Sequence, residues 1–140
     1  MDKIIKVAGK DMWFRATALT PRLYRHKIGR DIVRDMNRLQ KSYTKAVESA
    51  KLTPPGPEAS PQEKEAYEAA VKEAQLSVVD LEIFENVAYI MARQYDPAIP
   101  ATADEWLDGI EGTFSVYEIL PQILELWQLN NQTTSTSKKK

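Results

Sequence analysis

Cysteine is absent from the 140-residue chain, and histidine occurs once, at His26. The first absence removes disulfides, thiolate nucleophiles and cysteine-based metal sites together, and it fits a cytosolic setting. The second rules out a two-histidine metal site and leaves no spare base for a Ser-His-Asp triad. Long hydrophobic runs are also missing: nothing approaches eighteen consecutive apolar residues, so no segment reads as a membrane-spanning helix. The opening Met1-Asp2-Lys3-Ile4-Ile5-Lys6 has no secretory apolar run. No phosphate loop exists either, since Ala8-Gly9-Lys10-Asp11 lacks both the two-glycine spacing and a Ser/Thr for magnesium. Carboxylate pairs such as Glu82 with Glu85 and Asp104 with Glu105 sit at spacings that read as solvated helix faces. The expectation is therefore a chain with no catalytic residues, no cofactor and no metal.

What is present describes an ordinary globular domain. The composition is 43% hydrophobic and 28% charged, and a chain of this length normally builds one core. The formal net charge of -1 conceals a split. Residues 1–52 carry 13 Lys and Arg against 5 Asp and Glu, whereas residues 53–130 carry 3 against 15. Such a split suits segments that pack side by side and neutralise one another. It also suits a basic face aimed at nucleic acid, through Arg22, Arg25, Lys27, Arg30, Arg34 and Arg38. Few aromatics interleave with those charges, which argues against single-strand binding. Asp31 and Asp35 lie among Arg30, Arg34 and Arg38, an arrangement that intrahelical ion pairs account for. His26 in that basic neighbourhood reads as an exposed surface residue.

The apolar pattern predicts a mainly α fold. Ile5 and Val7, then Met12, Phe14 and Ala16, alternate about a turn at 8–11, giving a β-hairpin over 3–16 with Trp13 and Arg15 on its other face. Thr20-Pro21 marks a helix start with Thr20 as the cap, and Gly29 divides the helical region of about 20–51. Ile32, Met36, Leu39, Tyr43 and Val47 form the stripe of its second part. Four prolines and a glycine between 52 and 61 exclude helix there. Ser60-Pro61-Gln62-Glu63 then opens a long helix over 61–95. Its first stripe is Tyr67, Val71, Ala74, Val78, Leu81, Phe84, Ala88, Met91 and Tyr95. A second, formed by Leu76, Val79, Ile83, Val87 and Ile90, makes this the central helix. Thr102 and Ser115 open helices over about 102–111 and 115–129, the latter with a kink or restart at Pro121. Residues 131–140 read as a disordered polar tail. The expected architecture is a single-domain helical bundle over 1–130 with a short N-terminal hairpin.

Trp13, Trp106, Trp127, Tyr24, Tyr89, Tyr95 and Tyr117 are seven large amphipathic side chains, a notable load for so small a domain. Most fit apolar stripes, and any excess points to a protein-binding patch before a cofactor pocket. Trp13, Tyr24, Trp106 and Trp127 are the candidate partner-binding residues.

Three segments carry a family resemblance. The first is Ala16-Thr17-Ala18-Leu19-Thr20-Pro21-Arg22-Leu23-Tyr24-Arg25, running on through Gly29-Arg30-Asp31 to Asp35-Met36. The second is Glu85-Asn86-Val87-Ala88-Tyr89-Ile90-Met91-Ala92. The third is Glu105-Trp106-Leu107-Asp108, followed by Tyr117-Glu118-Ile119-Leu120-Pro121 and Leu126-Trp127. In order and combination these resemble the tail assembly chaperones of long-tailed phages and prophages of Gram-positive bacteria. The resemblance implies a non-enzymatic factor in the host cytoplasm, absent from the mature virion. Its partners would be the tape measure protein, held soluble and extended, and the tail tube protein, with neither nucleic acid nor membrane involved. Members of that family often occur as a short form and a frameshifted extended form. Lys138-Lys139-Lys140 fits an adenine-rich slippery run as well as a solubilising basic tail. Two other functions stand beside this one: a small DNA-binding regulator using the basic N-terminal helices, and a minor structural tail protein.

Overall fold

A computed structural model describes residues 1–49, 56–66 and 76–138; the side chains of Val47, Ser49, Tyr117 and residues 131–138 are outside that description. The order is β1 (Asp2–Val7), β2 (Lys10–Arg15), α1 (Thr20–Ile28), α2 (Ile32–Ser49), α3 (Val78–Tyr95), α4 (Ala103–Asp108) and α5 (Val116–Lys138). Residues 61–66 are also helical.

The hairpin follows from alternation and from its turn. Ala8 (φ 51°) and Gly9 (φ 82°) are both left-handed, as a two-residue turn matched to strand twist requires. Lys10 and Asp11, expected in the turn, instead begin β2 opposite Val7 and Lys6. Ile5, Val7, Phe14 and Ala16 face inward and are buried. The ends are tied by the Met1 ammonium, which donates to the Ala16 carbonyl at 2.7 Å, and by the Ala16 N–H, which donates to the Met1 carbonyl at 2.9 Å. Two strands alone are marginal; here β2 packs on α3 and β1 on α5. Gly112 passes so close to the turn that a Cβ there would lie 3.0 Å from that of Ala8.

Leu19, not Thr20, caps α1, and without a side-chain hydrogen bond. The Thr20 hydroxyl is fully buried and donates to Gln94 Oε1 at 2.6 Å, while accepting from the Thr17 N–H at 2.9 Å. A partner distant in sequence has outcompeted the local cap for this buried hydroxyl. Gly29 ends α1 as its pattern indicates, its N–H donating to the Arg25 carbonyl at 2.9 Å.

The central helix is the second departure. Ser60 does accept from the Glu63 N–H at 3.1 Å, but residues 76 and 77 are not helical and α3 begins afresh at Val78. Ser77 accepts from the Asp80 N–H at 3.2 Å, and Asp80 accepts from the Ser77 N–H at 3.0 Å, a reciprocal box. The 61–95 helix is therefore not continuous. The Ser77-x-x-Asp80 signature lies inside an apolar stripe whose period continues across it. Tyr67, Val71 and Ala74 of that stripe, and residues 52–55 of the proline-rich loop, lie outside the described residues.

From Ile83 onward α3 is the centre of the molecule, as its double stripe indicates. It packs against β2, α1, α2, α4 and α5, and every residue from Val87 to Ala92 is buried. One cluster of buried side chains draws on both strands and all five labelled helices. α4 is shorter than 102–111, closing at Gly109 after Asp108. α5 continues through Pro121 without a restart, and its span, Val116–Lys138, passes the end expected near 129. No glycine or further proline stands between 122 and 138 to stop it, and extending a nucleated helix costs little.

Candidate functional site

Of the four aromatics singled out by sequence, three are interior. Tyr24 is fully buried; its hydroxyl donates to Asp35 Oδ2 at 2.8 Å, and Arg30 forks onto the same carboxylate at 2.8 and 2.9 Å. Trp106 is 5% exposed. It meets Tyr89 at 5.8 Å and Phe114 edge-on at 5.4 Å, and Phe114 in turn stacks on Phe84 at 5.1 Å. This ring cluster, with the Tyr89 hydroxyl donating to the Pro100 carbonyl at 2.6 Å, fastens α4 and its flanking loops to α3. Trp127 is 7% exposed and joins the core from α5. Tyr24, Trp106 and Trp127 are thus corrected from partner-binding to core residues, because each sits on the inward face of its helix.

Trp13 is the exception, at 43% exposed. Strand alternation turns it away from the core, and its register partner Ile4, also 43% exposed, lies beside it. Trp13 stacks on Tyr95 with ring centres 5.5 Å apart and planes within 11°. The Arg15 guanidinium lies 5.1 Å over the same tyrosine ring. Arg15 also forks onto Asp2 at 2.8 and 3.2 Å, so the outer face reads as an apolar centre with a charged edge. That hydrogen bond holds the exposed Asp2 carboxyl below its ordinary range. Sequence reasoning missed Ile4 and Tyr95 as members of this face. Period-two alternation placed Ile4 with Trp13 from the start, whereas Tyr95 needed the end of α3 to be located in space.

Two buried carboxylates brace the scaffold beneath. Burial alone would raise Asp35, but the hydrogen bonds from Arg30 and Tyr24 outweigh it and hold the group below the usual aspartate range. Burial and that same carboxylate push the Tyr24 phenol far up. Asp80 is opposed by burial in the same way, and Arg38, at 3.0 Å, together with Ser77 holds it down. Arg38 thus reaches from the basic segment to the acidic one in place of an intrahelical partner. Lys3 does likewise with Glu125 at 3.0 Å. The charge split is in part an internal pairing, as the packing interpretation expects.

Elsewhere α2 presents Arg34, Lys41 and Lys45 outward, and His26 is exposed. Among the described residues no group of three or more His, Cys, Asp or Glu could hold a metal ion. No helix among them is long and apolar enough to cross a membrane. Comparison with protein-family models, with curated proteins and with solved structures gave no match in any of the three.

Proposed function

We propose that this chain is a non-enzymatic assembly chaperone for long phage tails. It would bind the tape measure protein in the host cytoplasm, keep it soluble and extended, help recruit tail tube protein, and stay out of the finished virion. The observation that carries the reading is the uncovered face of the hairpin, where Ile4 and Trp13 stand exposed on strands fixed by α3 and α5. The ordered resemblance of the three segments supports it from the sequence side.

An amphipathic helix of the client can lay its apolar stripe across Ile4 and Trp13, with Asp2 and Arg15 at the edge. The tryptophan is held by Tyr95, so little side-chain freedom is lost on contact. A face this small gives weak individual contacts, which suits repeated binding along a long, aggregation-prone helical chain.

The direct test is co-expression with the tape measure protein. That protein should move into the soluble fraction when the chain is present; unchanged solubility overturns the assignment. Trp13→Ala with Ile4→Ser should reduce capture while leaving the helical circular dichroism signal intact. Capture undiminished by the double variant would remove the hairpin face from the reading. Mass spectrometry of purified virions tests the structural-protein alternative, and a steeply salt-dependent shift of duplex DNA tests the regulator.

A further inference from the structure

Two surface features, remote from Ile4 and Trp13 in sequence, mark the two ends of α3. At its start Val78 is 80% exposed and Leu81 is exposed one turn on. They share a face with Glu82 and Glu85, along a groove of about 400 Å³ between α3 and α4 that Asp104 and Leu107 complete. Among the described residues none of these three carboxylates forms a direct ion pair, and Arg30 acts on Glu82 only at longer range. The Ser77–Asp80 box and the Arg38 bond to Asp80 hold this turn in place. Val78 therefore projects from a fixed position and not from a frayed end.

At the other end of the same helix lies a pocket of about 310 Å³ between α1 and α3. Leu23, Ile90 and Pro97 make its apolar part, and His26, Lys27 and Arg93 surround them. It has no carboxylate in its lining. One feature is therefore an apolar projection flanked by acids, and the other is an apolar recess flanked by bases. The space is ample for the short side chains of Val78 and Leu81.

We infer that the chain associates with a second copy of itself, the Val78–Leu81 edge with Glu82 and Glu85 of one copy entering the Leu23–Ile90–Pro97 pocket, rimmed by His26, Lys27 and Arg93, of the other. Charge decides which surfaces meet. Acid on acid or base on base is repulsive, so each patch takes the unlike patch of its neighbour, reciprocally about a two-fold axis or in an open series. The two patches share no residue, so both are usable at once. Because the charges lie at the surface, salt weakens the contact.

The test is sedimentation of the full chain over a range of concentrations at low and high salt. The weight-average mass should climb above that of the monomer with concentration and fall back as salt is raised. A monomer at every concentration overturns the inference. Two charge-reversed variants then localise the contact: Val78→Lys with Glu82→Lys, and His26→Glu with Lys27→Glu. All four positions are exposed, so the folded circular dichroism signal should persist. Each double variant alone should remain monomeric where the parent associates, and an equimolar mixture should regain complexes of at least dimer mass. A mixture that stays monomeric, or single variants that associate like the parent, overturns it. Trp13→Ala should leave the association unchanged, which separates this surface from the one proposed for client capture.

Discussion

The two ends of α3 are made of much the same side chains and meet opposite surroundings. Its first turn holds Val78, Val79 and Leu81, all exposed, while Val87 through Ala92 are all buried. Nothing in hydrophobicity separates Val78 from Val87. What separates them is neighbours: β2, α1, α2, α4 and α5 all pack on this helix, yet none covers Val78. An apolar residue on a helix is therefore an offer of burial, and the tertiary arrangement decides whether it is taken.

The comparison can be broken most forcefully at the buried end. Trp106→Ala removes the ring joining Tyr89 to Phe114 and should cost about 3–5 kcal/mol in chemical denaturation. Val78→Ser, by contrast, should move stability by no more than about 0.5 kcal/mol. Comparable losses at the two positions would mean that the first turn is covered after all.

Asp35→Ala comes next. It leaves the buried Tyr24 hydroxyl without its acceptor, and about 2 kcal/mol should be lost. Arg30→Ala leaves the Asp35 carboxylate, 5% exposed, without its guanidinium fork and should cost at least as much, about 2 kcal/mol or more. Ser77→Ala, which removes half of the box that restarts α3, should cost about 1 kcal/mol. If the loss is negligible, the helix start is held by packing and not by its cap.

The same contrast has a pH signature. Asp35 and Asp80 titrate below the ordinary aspartate range when folded, so their stabilisation is complete above that range and is lost as pH falls through the lower folded values. The thermal midpoint should hold near neutrality and drop below about pH 4, with a shallower fall in Asp35→Asn. Glu85 has the opposite sign. Burial, then the charges of Glu82 and Asp104, raise it, so its ionised form destabilises the fold at neutral pH and the penalty disappears on acidification. Glu85→Gln should raise the midpoint slightly at pH 7 and leave it unchanged once the glutamate is protonated. This is the smallest of these effects.

The elements were legible where one local rule acted alone. The hairpin face of Ile5, Val7, Phe14 and Ala16, the end of α1 at Gly29, and the Ile32–Met36–Leu39 stripe all follow from period and turn chemistry. The reading failed where two rules overlapped. At Ser77 a capping signature lies inside an apolar stripe, and the period carries no mark of the break. At Thr20 a local cap competes with a half-buried glutamine 74 residues away in sequence. The candidate surface was less legible still, because Tyr24, Trp106 and Trp127 share with Trp13 the aromatic character on which the choice was made. Exposure is not a property of a side chain, and a single sequence does not state it.

By itself the sequence settled what needs no partner: the absence of thiol side chains, the alternating strands, the Ile32–Met36–Leu39 period and the helix end at Gly29. Those depend on covalent structure and on contacts within a few residues. Only the tertiary structure decided that Trp13 faces outward beside Ile4 and that Val78 stands free. It alone showed Asp35 and Asp80 to be buried and braced by arginines. Such outcomes depend on which surfaces meet across long stretches of chain, and burial is a property of the pair of surfaces that close on a residue.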